Sequence, residues 1–494
     1  MDTHQHKRSF LVSETIATPT FVQSIADTGR ALEAAHEIAT GFLESLSTRP
    51  VTTSPSPADM IAALDEPFPD HGTDPEATVR EWFSRAEIGI TASPGPRFFG
   101  FVTGGSTSAA LAGDWLASTI DQNAGLWSAS PASVQTELTV LRWLKELFGL
   151  PSEWAGVLTS GATMANLVGL AAARQWAGRK LGFDAAADGL GGNPVITVVS
   201  STEIHASAIK CLGTLGFGRN QVKKVSAPGG IVDIAAMAAT LRAIDGPVIV
   251  VGNAAEVNTG QFDDIDALAD LCAGHPGGAW LHVDGAFGLF ANVTPRLQHL
   301  GKGIDRADSV AADGHKWLNV PYDSGFAFVR DATILRETFA GGGAYLVGSA
   351  GWDPITHLPE MSRRFRALAA WCALKSLGRE GYRDIVERCV DNTASFASWI
   401  ERTPGLQLMN SAPLNIVCFR ITAEGLDDGA TDEINRAAVP AIQRDGRVFV
   451  SGTIWNGRAA IRAAFDNWLT TQADVEILQS AVLDMAATLR PTRS

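Results

Sequence analysis

Apolar residues change their spacing along this chain, and the changes mark its parts. Over residues 21–46, FVQSIADTGRALEAAHEIATGFLESL, they recur at the interval that lines one face of a helix. A stretch rich in Pro, Ser and Thr, STRPVTTSPSPADM (47–60), breaks the pattern before EATVREWFSRAEIG resumes it. Residues 1–95 are therefore expected to form a helical segment. Residues 96–375 read differently. Short runs rich in Val and Ile each lead into a helix: AGVLTSG into ATMANLVGLAAARQWAGRK, PVITVVSS into IHASAIKCLGTLG, GPVIVVGN into DIDALADLCAGH, with AWLHVDGAF closing the series. Strands without polar alternation, each followed by a helix, predict an α/β domain whose mostly parallel sheet is covered on both faces. From 376 to 494, NIVCFRIT, GRVFVSGT and AAIRAAF stand among helices and predict a smaller α+β domain.

Composition narrows the functional classes. The 494 residues are 46% hydrophobic and 19% charged, enough for two or three packed units. A net charge of -14 argues against a general nucleic-acid binder, which needs a basic face, but leaves room for a local anion site. The five cysteines are scattered with no C-x-x-C spacing, which speaks against a disulfide framework or a cysteine-rich zinc site; no metal is expected. The opening MDTHQHKRSFLVSETIATPT lacks the apolar core of a signal peptide, and no run approaches the roughly 18 apolar residues of a membrane span. The expectation is a soluble, cytoplasmic protein without nucleic-acid or membrane partners.

Four places hold candidate chemistry. In DSVAADGHKWLNVPYDSG (308–325), Lys316 sits between His315 and Trp317 with no acid directly beside it. Most lone lysines at strand ends snorkel to water. The alternative is a lysine that forms a Schiff base with a carbonyl, its pKa lowered by desolvation so that a neutral amine is available. Asp284 ends the strand WLHVDGAFG, where open α/β sheets bind their ligands. It reads either as a cap or turn residue, or as the buried partner of a cation such as a protonated pyridinium. Gly285 and Ala286 beside it are small enough for a flat ring to lie on the backbone. In GVLTSGATMANL (156–167), a strand runs through Ser160, Gly161, Ala162 and Thr163 into a helix, whose free N–H groups attract phosphate, although no P-loop motif is present. His205, in SSTEIHASAIKCLG, reads as a packing or capping residue or as an imidazole stacked on a ring. In this order, a phosphate-cradling turn, a stacking histidine, a strand-end aspartate and a lysine describe a site for pyridoxal 5′-phosphate (PLP), whose protonated ring acts as an electron sink.

HKW (315–317), preceded by HVDGAF (282–287) and followed by RRFRAL (363–368), resembles the group II PLP-dependent decarboxylases, which include the aromatic-amino-acid, histidine, glutamate and diaminobutyrate enzymes. PRFFGFV (96–102), LWSASPASVQTEL (126–138) and EVNTGQFDDIDAL (256–268) extend the resemblance from about residue 30 to the C-terminus. It implies PLP fold type I, like aspartate aminotransferase: a seven-stranded α/β domain, a small C-terminal domain and an N-terminal helical segment packed across a homodimer with active sites at the interface. Lys316 would hold the cofactor as an aldimine, Asp284 would pair with the pyridinium, His205 would stack on the ring and Ala286 would cover its other face. Ala162 and Thr163 would bind phosphate with Asp313 and His315 nearby. Arg462, in IRAAFDNW, would bind the substrate α-carboxylate. The implied reaction converts an L-amino acid to its amine and CO2, with Lys316, His205, Asp284 and His315 as the catalytic set.

Two departures stand out. In the aromatic-amino-acid enzymes that the chain resembles, a tyrosine in a mobile loop before the RRFR stretch protonates the product carbon. Here that loop, YLVGSAGWDPITHLPEMS (345–362), puts Pro354 at the expected place, and the chain's tyrosines are Tyr322, Tyr345 and Tyr382. His357 is the nearest donor within the loop, and His205, His315 or a water are alternatives. Without that tyrosine the carbanion can pass to oxygen and leave as an aldehyde; transamination, elimination or a non-catalytic PLP-binding role are further alternatives. At the mouth, Phe101, Val102 and Gly104, with Asn123 and Gly125 from DQNAGLW, imply a roomier or more polar pocket than in the aromatic-specific enzymes.

Overall fold

The computed structural model describes residues 24–341 and 351–489, which divide into two compact units. The first comprises the described part of residues 1–45 together with 54–90. Its helix Ile25–Ser45 packs on the helix Pro75–Ala86, and Pro57–Leu64 joins them. The starts are written in the sequence: Ser56 and Asp59 form a reciprocal capping box, and Asp74 caps Ala77. The second unit holds residues 46–53 and 91–494.

Seven strands form the large sheet of the second unit: β1 (Ala155–Thr159), β2 (Thr197–Ser201), β3 (Lys223–Val225), β4 (Val248–Asn253), β5 (Ala279–Asp284), β6 (Ser309–Asp313) and β7 (Gly325–Val329), in the order β1-β7-β6-β5-β4-β2-β3. β7 alone runs against the direction of the other six. The absence of polar alternation in β4 now has its cause. Val248 and Val250 face one core, with the helices Pro131–Phe148, Ile265–Ala273 and Ala367–Arg402; Ile249 and Val251 face the other, with the helix Ala162–Lys180. Successive side chains point to opposite faces, so a strand covered on both sides must be apolar throughout. Each such fully buried Val or Ile contributes about 1.5–3 kcal/mol.

The smaller sheet is antiparallel: β8 (Leu406–Leu408), β9 (Ile416–Ile421), β10 (Ser451–Trp455) and β11 (Arg458–Ala464), ordered β10-β11-β9-β8. GRVFVSGT was expected to be strand from its start. Instead the pairing begins at Ser451, while the Phe449 segment bonds to residues 97–99. The helix Ala367–Arg402 runs through the expected boundary at residue 375, breaking its helical angles at Gly378, where φ is 61°.

Candidate active site

The strand directions bring the chemistry to one edge. Thr159 of β1 and Asp313 of β6 both lie opposite Gly325, so the C-terminal ends of β1 and β6 coincide, and Asp284 ends the neighbouring parallel β5. Ala162 follows β1, His205 follows β2 and Lys316 follows β6.

Lys316 is not without an acid. The turn after β6 folds it back onto Asp313, three residues earlier, with Nζ 2.9 Å from Oδ2. Its ammonium also lies 5.4 Å from the Phe287 ring centroid. The expectation that burial lowers its pKa is overturned for the chain alone. Burial does pull it down, but Asp313, through charge and hydrogen bond, and then Asp284 and Asp466 together push it above the ordinary lysine range.

Asp313 joins the lysine to the helix Ala162–Lys180. Its Oδ1 accepts the Ala162 N–H at 2.5 Å, at the positive end of that helix, and lies 3.3 Å from His315 Nε2. His315 Nδ1 is buried and has no hydrogen-bond partner among the described residues. Burial holds the pKa of this imidazole below the usual range despite Asp313, and the Tyr322 ring stacks on it at 4.2 Å. Thr163 is exposed one residue further along the helix, and its carbonyl accepts the Cys211 thiol.

His205 caps the helix Ala206–Thr214: Nδ1 accepts the Ser207 N–H at 3.2 Å. An imidazole that accepts at Nδ1 and is neutral carries its proton on Nε2. The capping reading of this residue is thus realised, and it fixes the ring's tautomer.

Asp284 is 6% exposed. Its Oδ1 accepts the Ala286 N–H at 3.2 Å and its Oδ2 accepts Asn166 Nδ2 at 2.9 Å. Two residues earlier on the same face of β5 lies His282, fully buried, whose pKa burial pushes down to about 4 although Asp284 pulls it up. His282 is therefore neutral in the folded chain, while an unfolded histidine titrates near 6.5. As pH falls from about 6.5 toward 4, unfolding takes up a proton, so stability declines through that window by about 3 kcal/mol. Urea midpoints at pH 7 and 4.5, compared between the natural chain and His282→Gln, read this contribution; equal declines in both would refute it.

The mouth residues divide. Gly104 packs on the Lys316 backbone so closely that a Cβ there would overlap the Lys316 carbonyl, and its N–H reaches the His315 carbonyl at 3.3 Å. Phe101 holds a positive φ of 57° and is exposed; its carbonyl accepts from Arg462 at 3.0 Å. Arg462 is buried on β11 and also donates to Ser451 Oγ at 3.2 Å. Among the described residues no carboxylate pairs with it, and its Nε has no partner. Asn123 belongs to another cluster, where Oδ1 accepts from Gly125 at 3.2 Å and Arg363 at 3.1 Å.

Several functional candidates escaped the sequence reading. Asp466 is 2% exposed; burial pushes its pKa up to about 7 against the pull of Lys316, and its Oδ2 has no hydrogen-bond partner among the described residues. The Tyr322 hydroxyl lies 3.5 Å from Thr103 Oγ1, and burial foremost, with Asp466 and Asp313, raises its pKa. Asn319 holds the floor together: Oδ1 accepts from Gly105 at 2.8 Å and Trp468 at 3.0 Å, while Nδ2 donates to the Trp317 and Asp466 carbonyls, both at 3.0 Å. Its φ of 52° suits asparagine, which tolerates the left-handed region. His357 is neither exposed nor at the site. Its ring nitrogens bond to Trp352, Thr356 and the Asp353 carbonyl, and burial pushes its pKa down to about 4. Tyr345 and the first part of the expected mobile loop lie outside the described residues.

A lysine at the end of a parallel sheet, beside a helix N-terminus and a strand-end carboxylate, belongs to the enzymes of PLP fold type I. This chain is a member of one family among them, the pyridoxal-dependent decarboxylases, whose conserved domain matches residues 57–422. It is 29% identical over 449 residues to an aromatic-L-amino-acid decarboxylase of Bacillus atrophaeus, covering 88% of this chain and 90% of that one. It is 26% identical over 471 residues to a 4-hydroxyphenylacetaldehyde synthase of Rhodiola rosea, covering 91% and 93%. Its fold matches that of Oryza sativa TDC, solved with PLP and tryptamine, at a TM-score of 0.88 and 24% identity over 95% of this chain and 100% of that one.

Proposed function

We propose that this chain carries out PLP-dependent decarboxylation of an L-amino acid, releasing CO2 and the amine. The observation that carries the reading is Lys316: half-buried at the strand edge, ion-paired to Asp313 and within the fields of Asp284 and Asp466, in a chain of this family. The residues present fit the cofactor. His315 Nδ1, buried and without a partner among the described residues, is left as an acceptor when Nε2 carries its proton toward Asp313, which suits a donor group of the cofactor or substrate; beyond Ala162, whose N–H Asp313 takes, the first turn of the helix supplies N–H donors for phosphate. Lys316 would carry the cofactor's aldehyde, Asp284 would face its ring nitrogen, and His205 and Ala286 would flank the ring. PLP supplies the electron sink for the pair left when a bond to the amino acid's α-carbon breaks.

The chain's own groups do the rest. Arg462 would bind the substrate carboxylate, since a buried guanidinium without an acid is suited to a bidentate partner. Asp313 Oδ2 holds the proton on Lys316 Nζ whenever the lysine is free, and the Tyr322 hydroxyl holds a second proton at the mouth. Charge-assisted hydrogen bonds contribute about 1.5–3 kcal/mol, so Arg462→Gln should raise KM roughly 10- to 100-fold. Initial-rate kinetics on the preferred substrate check this; an unchanged KM would remove Arg462 from the substrate site.

A second reading is favoured by one observation. The described part of the loop, 351–362, contains no tyrosine, in keeping with the aldehyde synthases among the similar relatives. In that reaction amino acid, O2 and water give aldehyde, CO2, ammonia and H2O2. A panel of L-amino acids assayed for CO2, amine, aldehyde and peroxide separates the two. Amine matching CO2 supports decarboxylation, aldehyde with peroxide supports the oxidase, and keto acid without CO2 would overturn both.

The same reading includes a homodimer in the cytoplasm. Ile25, Leu32 and Trp82 expose apolar surface on the helices of the first unit, as an interface element does before assembly. Among the described residues no helix is long and apolar enough to cross a membrane. Sedimentation of the purified chain tests the dimer.

A further inference from the structure

Asp284 is the last member of a chain of hydrogen bonds that leaves the sheet, enters the helix Ala162–Lys180 and returns. Trp280 Nε1 donates to Ser309 Oγ at 2.8 Å. Ser309 Oγ lies 2.8 Å from His282 Nδ1, and His282 Nε2 lies 2.8 Å from Asn166 Oδ1. Asn166 Nδ2 reaches Asp284 Oδ2 at 2.9 Å. Asn166, His282 and Ser309 are fully buried and Trp280 nearly so.

Chemistry fixes the direction of every bond. An indole N–H can only donate and a carboxylate can only accept. Asn166 must therefore turn its amide N–H2 toward Asp284 and its oxygen toward His282. His282 then donates from Nε2 and, being neutral, accepts at Nδ1. Ser309 donates its one proton to Nδ1 while accepting from Trp280. Each hydrogen bond in the relay points toward Asp284. Space is reserved for it as well: a Cβ on Gly169 would come within 2.7 Å of His282 Cε1 and 3.1 Å of Ser309 Oγ.

We propose that Trp280, Ser309, His282 and Asn166 are positioning residues that fix the Asp284 carboxylate as the acceptor for the cofactor's ring nitrogen and set how strongly it binds that nitrogen's proton. The inference rests on the reading of Asp284 as the ring-nitrogen partner. A network that merely satisfies buried polar groups would contribute to folding alone, and the two roles separate on the ligand.

The experiment titrates the full chain, stripped of cofactor, with PLP and with 1-deaza-PLP, in which a carbon replaces the ring nitrogen. The variants are Ser309→Ala, which frees the tautomer of His282, Asn166→Leu, which removes the donor to Asp284, and Asp284→Asn. Loss of an outer partner of a metal ligand costs about 10- to 100-fold. On that scale, Asn166→Leu and Ser309→Ala should weaken PLP about tenfold while leaving the deaza analogue within about twofold. The absorbance of bound PLP should shift in the same variants. Equal weakening of both ligands, or of neither, would overturn the relay. If Asp284→Asn also fails to distinguish PLP from its deaza analogue, the reading of Asp284 falls first. Should Asn166→Leu not fold, Ser309→Ala alone decides, because it deletes one hydroxyl.

Discussion

Lys316→Ala should abolish covalent attachment of PLP and reduce turnover by at least about a thousandfold, on the scale of losing a nucleophile and the proton it carries. The replacement strands more than a reactive amine. Asp313, Asp284 and Asp466 all act on this one ammonium, so its removal takes away the cation that all three share. Binding of PLP without a covalent link is compatible with the assignment, since the helix N-terminus and Asp284 remain. Borohydride reduction of the loaded chain followed by peptide mass analysis is the check. Cofactor found on any other lysine, or on the alanine variant, would transfer the central role elsewhere.

The second large effect is on stability. Arg363, fully buried, donates to both oxygens of Glu137 at 2.8 and 3.2 Å, and to the carbonyls of Ala124 at 3.0 Å and Leu158 at 2.5 Å. Glu137 also accepts the Leu158 N–H at 2.9 Å. This buried pair ties the helix Pro131–Phe148, the strand β1 and the turn at Ala124 to the segment that begins RRFRAL, and Arg363 Nε lies 3.5 Å from the less buried Glu360 carboxylate as well. Removing one member of such a pair leaves the other charge buried and costs about 3–5 kcal/mol, whereas removing both is far less costly. Arg363→Met should lose that much in denaturant unfolding, and adding Glu137→Gln should restore most of it. A single mutant within about 1 kcal/mol of the natural chain would mean that water reaches this pair.

The sheet was legible because strands buried on both faces carry an unmistakable pattern, and the places of Lys316, Asp284 and His205 along one edge of it were legible because they lie at or just beyond strand ends. Asp313 was seen, but its pairing with Lys316 depends on a turn whose course no pattern of polarity reveals. His282 and Asn166 illustrate what was readable only in part. His282 shares a strand face with Asp284, so alternation alone aligns them, yet Asn166 meets them only because the helix after β1 crosses β5. Asp466 and Asn319 lie far apart in sequence and converge solely through tertiary packing. Arg363 and Glu137 each stand inside a quoted motif, and the structure shows that their link is a buried ion pair.

Asn319 joins the lysine turn, the segment at Gly105 and the segment at Trp468 through four hydrogen bonds from one side-chain amide. Three distant stretches of chain are thereby made into one plate beneath the reacting groups. Such a plate cannot be widened on one side without breaking the others, so divergence in substrate size within this scaffold must be accommodated by its remaining walls. A shift of the segment that follows β11 is therefore passed directly to the lysine turn.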